Sequence, residues 1–182
     1  MRIAMVHSTF AVRGGAERYL EDTAAGLAAR GHQVRIFSRD GRRSRLSGRA
    51  FPHLGDLIDP TGPALRDLPG FAPDVVHVHN WQGLGVLPLA RITRRFPTVH
   101  TVHDHAIRDP NNALANLGRS PALDVLLELR RKWILRRFHR MTLVFPAERT
   151  RQVIRDSPHD RVLPPGLDPR WRRFPWPPSP LY

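Results

Sequence analysis

Hydrophobic positions near the start of the chain follow a strand, helix, strand pattern. Residues 3–6 are apolar, as is typical of an inner parallel strand that is buried on both faces. Apolar residues then recur at three- and four-residue steps over residues 16–28, which predicts a helix with one buried face. Gly31 follows as a C-terminal cap, and residues 33–38 are predicted as the next strand. The N-terminal segment is therefore one β-α-β unit.

The same order recurs later in the chain. The sequence predicts strands at residues 74–80, 97–103 and 161–163, with a crossover helix at residues 83–96. Strands and helices that alternate at this spacing form a mainly parallel sheet with helices on both faces. The expected fold class is α/β, a Rossmann-like three-layer α/β/α domain. Between the second strand and residue 74, repeated prolines interrupt the pattern. Only a short strand at residues 50–54 and a helical turn at residues 65–68 are predicted there.

Two adjacent glycines, Gly14 and Gly15, lie between the first strand and the first helix. Glycine allows a tight turn and a close approach of a ligand to the backbone. The first amides of the helix and the positive end of its dipole then face the carboxyl edge of the sheet, where diphosphates commonly bind. An ordinary turn of an α/β unit explains the same glycines, because an isolated glycine motif has low specificity.

Ligands of parallel sheets bind at the carboxyl ends of the strands, so residues at those ends are the candidates for function. Here they include His79 and Trp81 after one predicted strand, and His103 and Asp104 after the next. The several histidines in these segments raise the alternative of a metal site. No helical histidine pair or second carboxylate cluster completes a ligand set in the sequence, so no metal is expected.

Composition limits the domain count and the compartment. The chain has 182 residues, 41% of them hydrophobic, and no cysteine. This length suits one domain, expected at residues 1–168, with a proline-rich linker or tail at residues 169–182. The absence of cysteine excludes a disulfide framework and a thiolate metal site. We expect a cytoplasmic protein, since the first apolar run is too short for a signal peptide and no run approaches the ~20 residues of a membrane span.

The formal net charge of +13 attracts any polyanion, so it does not by itself select nucleic acid, anionic lipid or a sugar nucleotide. Lys132 is the single lysine among 29 basic residues, a skew that codon composition can produce. The basic segment 41–49 is equally well explained as a solvated loop. Without a nucleic-acid motif or a platform of interleaved aromatic residues, no nucleic-acid partner is expected.

A cationic amphipathic helix is predicted over residues 121–140, with Ser120 as its N-cap and Pro121 at its first position. Its apolar residues on one broad face are Leu123, Leu126, Leu127, Trp133, Ile134 and Phe138, and the basic residues that can reach lipid headgroups are Arg131, Lys132, Arg136 and Arg140. The apolar face can pack on the sheet, or the helix can touch an anionic membrane on its cytoplasmic side. Both can hold for one helix.

Five segments follow one another along residues 1–174. They are RGGAERYLEDTAAGLAARGHQV, PDVVHVHNW, PTVHTVHD, LVFPAERTRQVI and RVLPPGLDPRWRRF. In this order they resemble the N-terminal, acceptor-side domain of GT-B-fold glycosyltransferases of the family-4 type. The resemblance implies that the chain is the N-terminal Rossmann-like half of a GT-B fold.

The resemblance also implies a chemistry. It is retaining transfer of a hexosyl group from a nucleotide-sugar co-substrate to a sugar or lipid-linked acceptor, with no other cofactor and no required metal. The site residues that it implies are His103 as the catalytic residue, Gly14, Gly15 and Arg13 at the donor phosphates, and His79, Trp81 and Asp104 as substrate contacts.

The chain departs from the family pattern in three places. Phe145 stands where a small hydroxyl residue is usual, and Pro165 replaces the usual asparagine before the glycine of the closing turn. The third departure is that the given 182 residues do not include the second Rossmann-like domain that normally carries the nucleotide pocket. The chain is thus expected to be incomplete alone, either because it is a truncated form or because a donor domain in a separate chain is its partner. A non-catalytic binding or regulatory module remains the alternative, ahead of a basic nucleic-acid-binding protein.

Overall fold

The structure, a computed structural model, describes residues 1–8, 14–38, 63–82, 84–104, 106–108, 121–154 and 159–164. Several features predicted from the sequence lie outside these residues: Arg13, the basic segment 41–49, the strand at 50–54, the Ser120 cap, Pro165 and the tail at 169–182.

Strands and helices alternate along most of the described chain. The strands are β1 (Arg2–His7), β2 (Gln33–Ser38), β3 (Val75–Val78), β4 (Thr98–Thr101), β5 (Met141–Phe145) and β6 (Arg161–Val162). The helices are α1 (Gly15–Ala29), α2 (Pro63–Arg66), α3 (Leu68–Phe71), α4 (Val86–Arg95), α5 (Pro121–Arg137) and α6 (Glu148–Ile154). The turn predicted at residues 65–68 is thus two short helices, α2 and α3.

The described strands form one sheet in the order β2-β1-β3-β4-β5-β6, and every neighbouring pair is parallel. This confirms the predicted Rossmann-like α/β fold. From β1 the chain moves to β2 on one side, and it later returns to place β3 on the other side of β1. The strand order therefore reverses at β1, and a crevice for ligands forms at the carboxyl edge of such a reversal.

Helices cover both faces of the sheet because side chains alternate along each strand. Ile3 and Met5 of β1 pack with Leu20 of α1 on one face. Ala4 and Val6 belong to the larger core on the other face, together with residues of α3, α4 and α5. The helix α1, which begins at the glycine turn, thus lies on the opposite face of the sheet from α5.

The strands β3 and β4 end two residues earlier than the sequence predicts. The chain then leaves each strand through a side-chain-capped turn. Asn80 Oδ1 accepts a hydrogen bond from the Gln82 N–H at 3.0 Å, and Asp104 Oδ1 accepts one from the Ala106 N–H at 2.8 Å. These Asx turns compete with the sheet ladder and end the strands at the carboxyl edge.

The helix α5 carries the predicted apolar residues on one broad face, but only part of that face is buried. Ile134 and Phe138 are fully buried in the larger core, whereas Leu126 is 63% exposed. At 3.6 residues per turn, Leu126 lies roughly 20° around the helix axis from Trp133, which packs against the same core. Leu126 is therefore exposed because of its place in the N-terminal half of α5, and Val125 and Leu129 are exposed with it.

Arginines on the inner side of α5 fix it to neighbouring segments. Arg131 binds the Glu128 carboxylate at 2.6 Å and donates to the Ile154 carbonyl at the end of α6, also at 2.6 Å. Arg130 donates to the carbonyls of Ala106 and Ile107. Arg131 therefore holds α5 against α6 and does not join the exposed basic residues with which the sequence grouped it.

None of the helices in the described part of the chain has the length and apolar character that crossing a bilayer requires.

Gly31 caps α1, as predicted from the sequence. Its φ of +81° lies in the left-handed region, which side chains disfavour. Its N–H donates to the Ala28 carbonyl at 2.9 Å, and the His32 N–H donates to the Leu27 carbonyl at 3.2 Å. This is a Schellman cap, and it turns the chain from α1 into β2.

We expect Gly31→Ala to lower the free energy of unfolding by about 1–2 kcal/mol, because the left-handed backbone strains a residue with a Cβ. No atom lies within 4 Å of the added Cβ, so backbone strain is the whole cost. Gly26→Ala is the matched control. It lies inside α1, where alanine is favoured, and its Cβ would meet only the movable end of Arg30, so we expect a gain of about 0.5 kcal/mol. Equal effects of the two substitutions in urea unfolding would contradict this assignment.

Candidate functional site

The turn before α1 is held by the side chain of Glu17. Glu17 Oε2 accepts a hydrogen bond from the Gly14 N–H at 2.8 Å, as the third residue of a capping box does. A Cβ at Gly14 would lie 2.9 Å from the same oxygen, so glycine is required there by the close approach of Glu17. A Cβ at Gly15 would meet nothing within 4 Å, so the space beside Gly15 is open.

Glu17 also binds the end of β1. Its Oε1 lies 2.8 Å from Nε2 of His7, which is fully buried. Burial by itself raises the pKa of Glu17, but the hydrogen bonds from His7 and from the Gly14 amide outweigh it, so the pKa lies below its usual value. An ionised carboxylate only accepts hydrogen bonds, so His7 Nε2 carries the proton and donates it. Glu17 thus joins β1 to the glycine turn.

Two histidines that follow β3 and β4 meet beneath α1. His79 Nδ1 lies 3.2 Å from His103 Nε2, and the ring planes differ by 17° with their centroids 5.5 Å apart, so the two rings meet edge to edge. The Tyr19 ring of α1 packs on both, with centroid separations of 5.8 Å from His79 and 5.3 Å from His103. The first turns of α1 and His103 therefore lie on the same face, at the same edge of the sheet.

A third histidine extends the cluster into β3. His77 lies beside His79, with ring centroids 4.1 Å apart, and its Nε2 lies 2.8 Å from Thr101 Oγ1. Burial, with a smaller contribution from His103, lowers the pKa of His77 to about 4. His77 is therefore neutral at pH 7 and is held by a neighbouring strand rather than directed at the site.

Burial keeps the other two imidazoles neutral as well. It lowers the pKa of His79, with further contributions from His77 and His103. It also lowers the pKa of His103, where His7 adds to the effect and the carboxylates of Asp104 and Glu17 oppose it. The cluster thus offers neutral hydrogen-bonding groups at pH 7 rather than fixed positive charges.

The remaining site residues predicted from the sequence have different surroundings. Trp81 is 2% exposed and packs edge-on against Phe138 in the larger core. The guanidinium of Arg130 lies 5.8 Å from its ring. Asp104 is exposed next to His103, and one of its carboxylate oxygens accepts the hydrogen bond that forms the turn. Substrate contact by these two residues stays a prediction, and Trp81 has an evident packing role.

Two residues of the site, His7 and Tyr19, are not predicted from the sequence. A signal was present for His7, because it lies at the carboxyl end of β1 and two positions after Met5, on the face that α1 covers. Tyr19 lies two residues after Glu17 and gave no signal of its own, since its role depends on how α1 crosses the strands. Within the described residues, no group of three or more histidine, cysteine, aspartate or glutamate side chains is placed to hold a metal ion.

The arrangement is suited to binding an anionic, oxygen-rich ligand. Within the described chain, no hydrogen bond uses the amides of Gly15 and Ala16, whereas Glu17 occupies that of Gly14. Two such amides at the positive end of a 15-residue helix are able to donate hydrogen bonds to an anion. Beside them, His103 supplies a neutral imidazole that is only half-buried.

Two similarities to known proteins agree with this geometry. Residues 13–171 match the sequence pattern of the family described as Glycosyltransferase Family 4. The chain is also 33% identical, over 184 aligned positions, to D-inositol 3-phosphate glycosyltransferase of Nocardia farcinica (strain IFM 10152). That alignment covers 85% of this chain and 40% of the relative, so the chain spans about two fifths of the relative's length. By these matches, the chain belongs to glycosyltransferase family 4.

Proposed function

We propose that the chain is the N-terminal, acceptor-side half of a GT-B-fold enzyme that transfers a hexosyl group, with retention, from a nucleotide sugar. The acceptor is a sugar or a lipid-linked compound. The relative from Nocardia is named for D-inositol 3-phosphate, which makes a phosphorylated cyclitol the first acceptor to test. The protein acts in the cytoplasm, with no metal or cofactor beyond the donor.

One observation carries this proposal. The open amides at the start of α1 and the imidazole of His103 lie at one edge of the sheet, and Tyr19 bridges the distance between them. A transferase needs both elements together, because negative charge grows on the leaving diphosphate while the bond to the sugar carbon breaks. Helix amides stabilise that charge without titrating, and a neutral imidazole can donate a hydrogen bond at the reacting sugar.

Each site residue has a role in the proposal. Gly14 and Gly15 bind the donor phosphates, with Gly15 as the point of closest approach. Arg13, which is outside the described residues, is assigned to the same phosphates from the family resemblance. His103 contacts the reacting centre. Asp104, exposed beside it, contacts the acceptor. His79 and Trp81 act from beneath the site, since each is almost fully buried.

Gly15→Ala separates ligand binding from folding. Alanine is favoured in a helix, and the space at Gly15 is open, so we expect unchanged or slightly higher stability. A phosphate at the amide would meet the new methyl group, and we expect roughly tenfold weaker binding of a nucleoside diphosphate. The measurement is an amide chemical-shift titration of the 182-residue chain. Gly26→Ala is the control and leaves binding unchanged; a wild-type titration that leaves the amides at residues 14–16 unmoved would contradict the phosphate site.

The 182-residue chain by itself is expected to transfer sugar at less than about 0.01 s⁻¹, far below the usual range of enzymes. The reason is that the proposed site needs a nucleotide pocket from a second domain. The assay incubates purified chain with a panel of nucleotide sugars and D-inositol 3-phosphate, and detects products by mass spectrometry. Turnover at ordinary enzyme rates by this chain alone would show that the site is complete without a second domain.

A membrane surface is the second partner that we propose. Val125, Leu126 and Leu129 are exposed on the N-terminal half of α5, and Lys132 and Arg136 are exposed on the turns that follow. Apolar residues beside cations are the pattern of a helix that lies on anionic lipid. The other face of α5 remains packed in the core, so the helix does not have to unfold from the domain in order to bind.

We expect the chain to bind vesicles that contain phosphatidylglycerol, with affinity that falls as salt rises, and to bind pure phosphatidylcholine vesicles weakly. Arg136→Glu changes the charge by two units at the membrane face and should weaken binding by at least about tenfold. Arg18→Glu makes the same change in charge at an exposed position of α1 and is the matched control. Equal binding to both vesicle types, or equal loss in both variants, would count against this surface in a sedimentation assay.

A further inference from the structure

The contact between His79 and His103 determines which nitrogen of His103 carries a proton. His79 Nδ1 and His103 Nε2 are 3.2 Å apart. A neutral imidazole has one N–H and one bare nitrogen, so the contact is a hydrogen bond only when one partner donates and the other accepts. Two arrangements satisfy this: His79 donates from Nδ1, or His103 donates from Nε2.

The second nitrogen of His79 distinguishes the two arrangements. His79 is 1% exposed, and its Nε2 has no hydrogen-bond partner in the described part of the chain. If His103 donated, the proton of His79 would have to sit on this buried Nε2 with no acceptor. Buried N–H groups without an acceptor are rare and costly. The lower-energy arrangement leaves Nε2 bare and puts the proton on Nδ1, so His79 donates.

Burial, more than the surrounding charges, keeps both rings of the pair neutral. On the side of His79 lie His77 and His100, and His7 acts on both rings. On the side of His103, Asp104 and Glu17 favour a proton, and the Tyr19 ring packs on the edge of the imidazole. Burial outweighs the two carboxylates and lowers the pKa of His103. A charged His103 would also place an N–H at Nε2 against the N–H of His79.

The geometry points to His79 as a positioning residue that holds His103 in the neutral Nδ1–H tautomer. His103 Nε2 is then engaged as an acceptor, and its Nδ1–H is the remaining polar group. No hydrogen bond to Nδ1 of His103 occurs within the residues that the structure describes, and this side chain is half-buried rather than enclosed. His103 therefore presents a hydrogen-bond donor to a ligand at the carboxyl edge.

This assignment deepens the proposed function and rests on it for the identity of the ligand. A donor at this position stabilises an oxygen that gains negative charge, whereas a bare nitrogen would act as a base. His103 would thus support departure of the diphosphate or bind a sugar hydroxyl, and it would not remove a proton from the acceptor. His79 acts only through His103 and touches no reacting atom.

The tautomer can be measured directly on the chain without donor or acceptor. In a long-range ¹H–¹⁵N correlation spectrum of histidine-labelled protein at pH 7, we expect His103 to show a protonated Nδ1 and a bare Nε2. The preference should be at least about tenfold, which is the population ratio that a buried unpaired N–H would impose. A wild-type spectrum with the proton on Nε2 of His103, or with a charged ring, would overturn the proposal even if every variant failed to fold.

Variants test the part played by His79. His79→Phe keeps a planar ring but removes the donor, and we expect His103 to lose its preference for the Nδ1–H tautomer. His79→Asn places an amide N–H near the former Nδ1 and should restore the preference. His139→Phe, at an exposed histidine, is the control and should leave the His103 signals unchanged. An unchanged His103 tautomer in folded His79→Phe would refute the positioning role.

These outcomes are independent of sugar transfer. If the chain still lacks transferase activity when a second domain is added, but shows the expected tautomers, the proposed function fails and the role of His79 stays intact. A chain that transfers sugar once a second domain is added, but carries the proton on Nε2 of His103, would remove this inference alone.

Discussion

The alternation of side chains along three adjacent parallel strands is the constraint on which the site depends. In β1, β3 and β4, the positions that face α1 are in register, since Met5 pairs with His77 and His77 pairs with Val99. Every second residue after these positions faces the same helix. His7, His79 and His103 all fall on that face at the carboxyl edge, where α1 begins. A shift of one residue in any of the three strands would turn its histidine into the opposite core.

Burial of several imidazoles under one helix is tolerated because they are neutral and mutually hydrogen-bonded. Desolvation lowers the pKa of His77 and His79, and Thr101 and His103 provide polar partners. Glu17 lies in the cluster as an ionised carboxylate and accepts hydrogen bonds from His7 and from the glycine turn. This carboxylate stabilises the turn and also anchors α1 to β1. One side chain therefore holds both the start of α1 and the histidine cluster in place. Rigid placement of both elements is what a site that stabilises transition-state charge requires.

Much of the fold could be predicted from the sequence, because hydrophobic periodicity and glycine punctuation are local signals. The first β-α-β unit, the Gly31 cap and the parallel sheet are confirmed, and the errors lie at the ends of β3 and β4, where Asx turns replace the ladder. The exposure of Leu126 could not be predicted, since the apolar face of a helix does not show which part of its length the core covers. The contacts of His79 were beyond prediction from the sequence. They depend on the spacing of β3 and β4 and on the crossing of Tyr19 over both, and neither is encoded locally.

The two glycines of the turn have separable explanations. At Gly14, a side chain would collide with the Glu17 carboxylate that caps the helix, so the fold itself accounts for glycine there. At Gly15, no atom of the described chain lies where a Cβ would be, and the residue begins a helix in which alanine would be more stable. The proposed donor phosphate is one explanation of a glycine here, because it would approach this backbone in front of two amides that no described group occupies. The open space at Gly15 thus supports the proposed phosphate site, on the face where His103 lies.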